Sequence, residues 1–514
     1  MAAETGEQTA RGNPVPQYML CFIVNIISFS YGMTVGWLSP MQPLLQANYT
    51  NTNDSSPLGV EAEPLSYEEV SWISGSFCIG GILATPLYGY FANAFGRKMT
   101  AILSAVPFFL AFGLKLVANS PLIIFAARFI AGLGGGGVCL IVPMYIGETS
   151  EDHIRGVLGS YFNLFLCFGI LFSFIIGSYT GYFILGIVGV SFPILFMVFC
   201  MWLPETPVYS LTKNRTDAAM NALKKLRGNH KGLIEAELEK LAASVRENAQ
   251  NKGMSMKDMI NDKATLKGLI IGGVCMTVQQ CSGVSPILNY TVAIFDASGS
   301  KLSPNLAAII VGALQLVGAL VATIFMDRLG RKFLLLVSSV GMSFSLIPIA
   351  VFFKLKFSGF DPEVLATFGW VPVTSLAIYI IVYAVGFGPV PWVLCSELFK
   401  TEAKSPATSF CVFLVWAEAF ILLKFFSKLS DLVGIDMCFG LFALCCALGA
   451  AFTCFYIPET KGKSLEHILW QLGDRKTPSN LGNIPIPMVN FGGSKADLNK
   501  AELQSENKTD ERLQ

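Results

Sequence analysis

The chain has 514 residues, of which 53% are hydrophobic and 14% charged, and its mean hydropathy is +0.56. A soluble domain carries about 25% charged residues, so this composition excludes a cytosolic enzyme, a disordered protein and a secreted disulfide scaffold. With 36 Lys and Arg against 35 Asp and Glu, the net charge of +1 leaves no basic surplus for nucleic acid.

Residues 1–17 are polar, and the apolar run 18–38 that follows is long enough to cross a bilayer, which takes about 20 residues. No small-residue cleavage motif follows it, so it reads as a retained signal anchor. Eleven further apolar segments follow at 67–91, 99–118, 121–146, 157–179, 182–203, 265–290, 303–326, 333–353, 371–397, 406–429 and 436–457. In lipid each backbone polar group must be satisfied within its own segment, so all twelve are predicted to be helices. The segment 204–264 is rich in Lys, Arg and Glu, with helical stretches at 218–227 and 234–245, and divides the spans six and six. The region after about Gln471 is polar, with Pro and Gly, and has the composition of disorder.

An even number of spans puts both termini on one side. The short loops on that side hold Arg97, Lys98, Arg155, Arg328, Arg331, Lys332, Lys400 and Lys404. The opposite loops hold Lys301, Lys354 and Lys356, so the basic, terminal side is predicted to face the cytoplasm. The loop 39–66 then lies outside; it carries glycosylation sequons at Asn48 and Asn53 and no Lys or Arg. The thirteen cysteines fall in apolar stretches without a CxxC and read as small buried hydrophobes. The chain has no HExxH or GxSxG, and its three histidines lie outside the spans, so no metal, cofactor or enzymatic activity is expected.

Three marks occur twice in the same order. Gly96-Arg97-Lys98 recurs as Gly330-Arg331-Lys332; Glu148, followed by Arg155, recurs as Glu397, followed by Lys404; Pro204-Glu205-Thr206 recurs as Pro458-Glu459-Thr460. The similar offset implies a duplicated six-helix unit in parallel orientation, the arrangement in which two bundles rock about a site near the membrane midplane. The marks read either as topology signals alone or as an ion-pair network that latches the two halves while the cavity opens outward.

With these residues in view the chain resembles the sugar porter family of the major facilitator superfamily, over residues 18–467. The resemblance rests on five motifs. They are Arg128-Phe129 with the glycine run 132–137 and Pro143 to Glu148; Pro204-Glu205-Thr206-Pro207; Gln279-Gln280-Cys281-Ser282-Gly283; Gly386-Phe387-Gly388-Pro389-Val390-Pro391-Trp392 with Glu397; and Pro458-Glu459-Thr460-Lys461-Gly462. Residues 36–40, Trp416 and Lys424-Phe425-Phe426 look most like the insect facilitated trehalose and hexose carriers.

The resemblance implies an all-α integral membrane protein with twelve transmembrane helices in two pseudo-symmetric six-helix bundles, the major facilitator fold. The expected division is an N-terminal tail 1–17, bundles 18–203 and 265–457, a cytoplasmic helical linker 204–264 and a cytoplasmic, largely disordered tail 458–514. It implies that Gln279, Gln280 and Gln315 bind sugar hydroxyls, that Asn163 stands at a fifth-helix ligand position, and that Trp392 is an aromatic wall. Ser285 and Asn289 replace an Asn and an aromatic of the family pattern. Trp416 matches a further aromatic, with core or lipid-interface packing as its other reading, and inter-helix bonding is the other reading of the two glutamines. Arg97, Glu148, Arg155, Glu205, Asp327, Arg331, Glu397, Lys404 and Glu459 form the expected gating network. Pro389 and Pro391 remove helix donors and predict a hinge in the tenth helix.

The glycine run lacks the Lys-Ser/Thr of a phosphate loop and predicts close helix contact. Asn93 and Ala94 replace the Asp-Arg of the N-half motif, whereas Asp327-Arg328 keeps it in the C-half. Glu418 lies inside the eleventh span, with Lys424 as a possible partner at poor helical spacing. Proton-coupled members carry a first-helix Asp; the run 18–38 has no Asp or Glu, with Thr34 roughly at that position. The expected function is therefore facilitative uniport of a hexose or trehalose across the plasma membrane. A carrier of another polyol or small polar solute and a non-transporting sugar sensor are the alternatives. The sequence leaves the oligomeric state open.

Overall fold

The structure is a computed structural model, which describes residues 13–47, 63–151, 153–228, 231–250, 256–463 and 465–473. Among these residues every regular element is a helix. Ten helices are long and apolar enough to span a membrane. One of them, Arg155–Cys200, has 46 residues and contains two spans, divided at Gly181, whose φ of 76° breaks the helix. The predicted seventh span is in three pieces, Lys263–Cys281, Val284–Asn289 and Thr291–Ser298, none of them among those ten. Counted this way the described residues cross twelve times, as the apolar runs predict.

The spans in order are Pro14–Gly36, continued by Leu38–Gln46; Tyr67–Ala94; Arg97–Leu116; Pro121–Thr149; the two parts of Arg155–Cys200; the broken seventh; Pro304–Leu329; Arg331–Phe357; the tenth, split into Val371–Val385 and Val390–Glu397; Thr401–Val433; and Ile435–Tyr456. Their ends follow local chemistry. Proline sits in the first turn of several, where its missing N–H is harmless. Ser66 and Glu69 form a reciprocal capping box at the start of the second span. The predicted linker contains helices Pro207–Thr212, Thr216–Arg227, Lys231–Gln250 and Met256–Asn261. Arg227 clamps it to the first bundle, donating to the Thr149 carbonyl at 2.8 Å and pairing with Glu151 and Glu237. The region after 457 begins with a short helix, Leu465–Leu472; residues beyond 473, and both sequon asparagines, Asn48 and Asn53, lie outside the described residues.

Large apolar side chains such as Phe344, Leu448 and Phe455 point outward, 62–71% exposed. A water-soluble surface does not carry such a belt; a lipid-facing one does. Inside, small residues set the contacts between helices. A Cβ on Gly80 would lie 2.1 Å from the Phe129 carbonyl oxygen, and one on Gly132 would lie 1.9 Å from that of Phe77. Gly32 and Gly169 repeat this reciprocal approach between the first and fifth spans, at 2.1 and 2.2 Å. The glycine run is thus a helix-packing surface, as expected.

Candidate functional site

The duplicated marks build two matching structures on the face that carries the linker. The third and ninth spans both start directly after a glycine with positive φ, Gly96 at 97° and Gly330 at 90°. Glu205 accepts from the Arg97 backbone N–H at 2.9 Å and from Lys98; Glu459 accepts from the Arg331 N–H at 3.0 Å and from Lys332. Each carboxylate therefore caps a helix N-terminus from outside the helix, where the open N–H groups and the dipole favour an anion. A side chain on either glycine would occupy the carboxylate's place, 2.3 Å from Glu205 Oε2 or 2.6 Å from Glu459 Oε2. Burial raises the Glu205 carboxyl above its usual range, opposed by the N–H donors of Thr206, Lys98 and Arg97.

A second carboxylate completes each set. Arg97 pairs with Glu148 at 2.9 Å and Arg331 with Glu397 at 2.9 Å. Thr206 and Thr460 donate to the other oxygens of the same glutamates, both at 2.6 Å. The threonines of the Pro-Glu-Thr marks are thus working members that charge counting passed over. In this structure these pairs do not cross between the halves. Each closes within its own half, joining the start of one span to the end of the next and to the Pro-Glu-Thr segment. Arg155 donates to the Ser150 carbonyl at 3.1 Å, and Lys404 lies close enough to Arg155 for repulsion between the halves. The Asp327 side chain lies outside those described.

Links between the halves are made on the opposite face and at the centre. Lys424, 4% exposed, donates to Ser71 Oγ at 2.9 Å, lies 3.7 Å from Glu68, and rests over the Trp72 ring at 4.1 Å. Lys428 pairs with the same Glu68 at 3.2 Å. The Val292 N–H donates to Ser39 Oγ at 3.2 Å. Trp416 is buried, edge-on to Phe77 at 5.6 Å and against Gly81, so it is part of this seam. The protein is therefore closed on the face away from the linker. Lys424 is not the partner of Glu418, which instead accepts from Thr277 Oγ1 at 2.6 Å.

Between the bundles, the broken seventh span gathers the amides. Gly283, at φ 89°, ends its first piece. Ser285 then donates to Gln280 Oε1 at 2.7 Å, and Asn289 donates to the Ser285 carbonyl at 3.0 Å. Asn289 Oδ1 also accepts from Arg128 across the halves, at 3.4 Å. Gln279 is engaged elsewhere: its amide donates to the Phe387 and Gly388 carbonyls at 2.6 and 2.9 Å. Those carbonyls are left open where the tenth span breaks at Gly386, before Pro389 and Pro391 start its second piece. The predicted bend is present. Among the described residues, Gln315 is buried with its Oε1 unpartnered and Asn163 makes only a long contact with Cys167, while Trp392 is half-buried against the core.

Arg128 is the central group that motif reading named without weighing. It is fully buried and reaches no carboxylate among the described residues. It donates to the Thr34 carbonyl at 2.6 Å and the Ile73 carbonyl at 3.4 Å, and lies over the Phe77 ring at 4.8 Å. It thus ties the fourth span to the first, second and seventh.

The family described as "Sugar (and other) transporter" matches residues 20–472. The chain belongs to this family. The sugar transporter chain is 34% identical to the facilitated trehalose transporter Tret1 of Bombyx mori over 462 residues, 89% of this chain and 86% of that protein. It is 34% identical to the Tret1 of Polypedilum vanderplanki, over 88% of each. Among solved structures, the E. coli xylose transporter XylE in a partially occluded inward open conformation superposes with a TM-score of 0.70. That match covers 88% of this chain and 100% of the other at 22% identity, a likeness of fold. This transporter is a multi-pass membrane protein and not an enzyme.

The seam away from the linker yields a prediction. Lys424→Met is expected to weaken closure there by about 1 kcal/mol, the worth of the cation–π contact over Trp72 together with the pair to the solvent-exposed carboxylate of Glu68. That shifts the ratio of the two facing states about fivefold toward opening on that side. Limited proteolysis at the linker, compared between wild type and variant in detergent, reads the shift as changed cleavage rate; equal rates sink the role.

Proposed function

We propose that this protein is a facilitative carrier of trehalose or a hexose in the plasma membrane, working by alternating access. The termini and linker face the cytoplasm, a reading supported by the basic loops on that side. In this orientation the structure is closed to the outside and the two bundles, 18–203 and 265–457, meet at a seam held by Lys424, Ser39 and Trp416. The gating set Arg97, Glu148, Glu205, Arg331, Glu397 and Glu459 acts by keeping each bundle rigid as it rocks, with Arg155, Asp327 and Lys404 at the same face. The substrate meets Gln280, Ser285 and Asn289 on the broken seventh span, with Gln315 and Asn163 on the eighth and fifth. Gln279 and the Pro389–Pro391 break move together, since one bonds the other. Trp392 forms an aromatic wall and Trp416 a closing contact.

One observation carries uniport. Arg128 satisfies itself on backbone carbonyls and Asn289, and the helix Pro14–Gly36 offers it no Asp or Glu. Without a carboxylate on that helix there is no proton-binding partner to couple. The names of the relatives, facilitated trehalose transporters, support the same reading.

The test is uptake of labelled trehalose, glucose and fructose in transporter-null cells, with surface expression measured in parallel. Saturable uptake is expected, unchanged by a protonophore and by external pH between 6 and 8, and lowered about tenfold or more in Gln280→Ala, as for loss of a site amide. Concentrative, proton-dependent uptake would overturn uniport and point to Glu418, whose Oε2 is buried without a partner among the described residues.

A further inference from the structure

A cavity of about 590 Å³ lies at the closed seam, on the face away from the linker. It is separate from the amides of the broken seventh span. Gln42, Tyr67, Ser178 and Tyr179 line it from the first half, and Asp296 and Asn305 from the second. Val292 also lines it, and its N–H makes the cross-half bond to Ser39 just beside the cavity wall residue Pro40. The site is thus assembled from both bundles when this face is shut.

The lining specifies a ligand class. Amides and hydroxyls both donate and accept, matching a ring of hydroxyls, and exposed tyrosine rings offer faces for apolar C–H surfaces. Tyr67 is 69% and Tyr179 76% exposed, so both rings are available. Among the described residues no Lys or Arg lines the cavity, while Asp296 contributes a carboxylate, so an anion has no counter-charge there. The volume falls within the roughly 300–1,000 Å³ of ligand pockets and holds two or three pyranose rings.

We propose that this cavity is an external carbohydrate site, distinct from the transport site, that binds neutral di- and trisaccharides while the carrier is closed to the outside. The proposal rests on the sugar-carrier reading and on the orientation given above for its effect on transport. Because both halves supply its walls, opening this face pulls it apart. Its ligand therefore selects the closed form, by linkage, and slows return of the empty carrier to the outward-facing form. An external oligosaccharide becomes an inhibitor that does not compete with the transported sugar.

The experiment adds raffinose outside cells during uptake of the labelled substrate. A fall in maximal rate with unchanged KM is expected. In Asn305→Ala and Tyr179→Ala, both exposed and outside the transport site, basal uptake is kept and raffinose potency falls at least fivefold. A competitive pattern equal in wild type and variants, or no inhibition, overturns the proposal. Direct binding of labelled raffinose to purified protein separates the two readings. Binding kept in Gln280→Ala and lost in Asn305→Ala supports the site even where no sugar is transported, which would sink the carrier reading alone. Normal transport with no raffinose binding sinks the site alone.

Discussion

Gly132→Ala is expected to remove the folded carrier from the cell surface, whereas Gly147→Ala, fifteen residues along the same helix, is expected to leave it in place. The added methyl at 132 would lie 1.9 Å from the Phe77 carbonyl oxygen and 2.8 Å from its carbon, so the helix backbones themselves must part. Flexible side chains relieve ordinary overpacking at about 1–3 kcal/mol. Here no side chain can yield, and moving the fourth span off the second also disturbs the Gly80 contact on the other side. The expected cost is about 3 kcal/mol or more, enough to unfold a marginally stable protein. At Gly147 an added methyl meets nothing within 4 Å. There alanine gains helix propensity, about 0.4–1 kcal/mol through the unfolded chain. Surface biotinylation and thermal stability of the detergent-solubilised protein read both variants. Equal behaviour would mean that the close approach of these two helices does not limit folding.

The contrast shows what hydropathy reveals and what it hides. Span count, halves and the duplicated marks are legible because lipid forces every crossing run to be apolar and helical. Breaks inside spans are less so. Pro389 and Pro391 announced the tenth, but the seventh breaks at Gly283, whose φ of 89° is a property of backbone rather than composition. The 46-residue helix looks like two spans in the sequence because Gly181 lies between apolar runs, and that reading holds at the kink.

For the site, residue types were legible and partners were not. The repeated Gly-Arg-Lys, Glu and Pro-Glu-Thr marks were visible as pairs at a common offset. Their closure within each half depends on which helix ends meet, and so does the capping of two helices by Glu205 and Glu459. Charge alone made Lys424 a candidate for Glu418, at a poor helical spacing; three-dimensional packing gives it Ser71, Trp72 and Glu68 from the other bundle. Gln279 and Gln280 are neighbours with the same chemistry, yet consecutive positions on a helix point about 100° apart. One therefore meets the break in the tenth span and the other meets Ser285.

Arg128→Met is expected to lower transport about a hundredfold or more, the largest functional loss of any substitution at the centre. The guanidinium is fully buried, and a charge in that position persists only because the Thr34 and Ile73 carbonyls, Asn289 and the Phe77 ring hold it. Hydrogen bonds to a charged group contribute about 1.5–3 kcal/mol each. Removing the donor strands the Thr34 carbonyl, in the first span, and releases Asn289, in the seventh. Arg128→Lys keeps the charge but presents a compact ammonium instead of a planar fork, and cannot hold widely spread acceptors at once. It is expected to recover only part of the activity. Asn289→Ala separates gating from folding, because it spares the Arg128 bonds to Thr34 and Ile73 inside the first bundle and deletes the Arg128 bond across the halves along with the local bond to the Ser285 carbonyl. Surface expression should then be normal, and the two facing states should shift by about fivefold, the effect of roughly 1 kcal/mol. Comparing net uptake with sugar exchange across the three variants tests the assignment. An Asn289→Ala carrier with unchanged rates in both assays would confine Arg128 to holding the first bundle together.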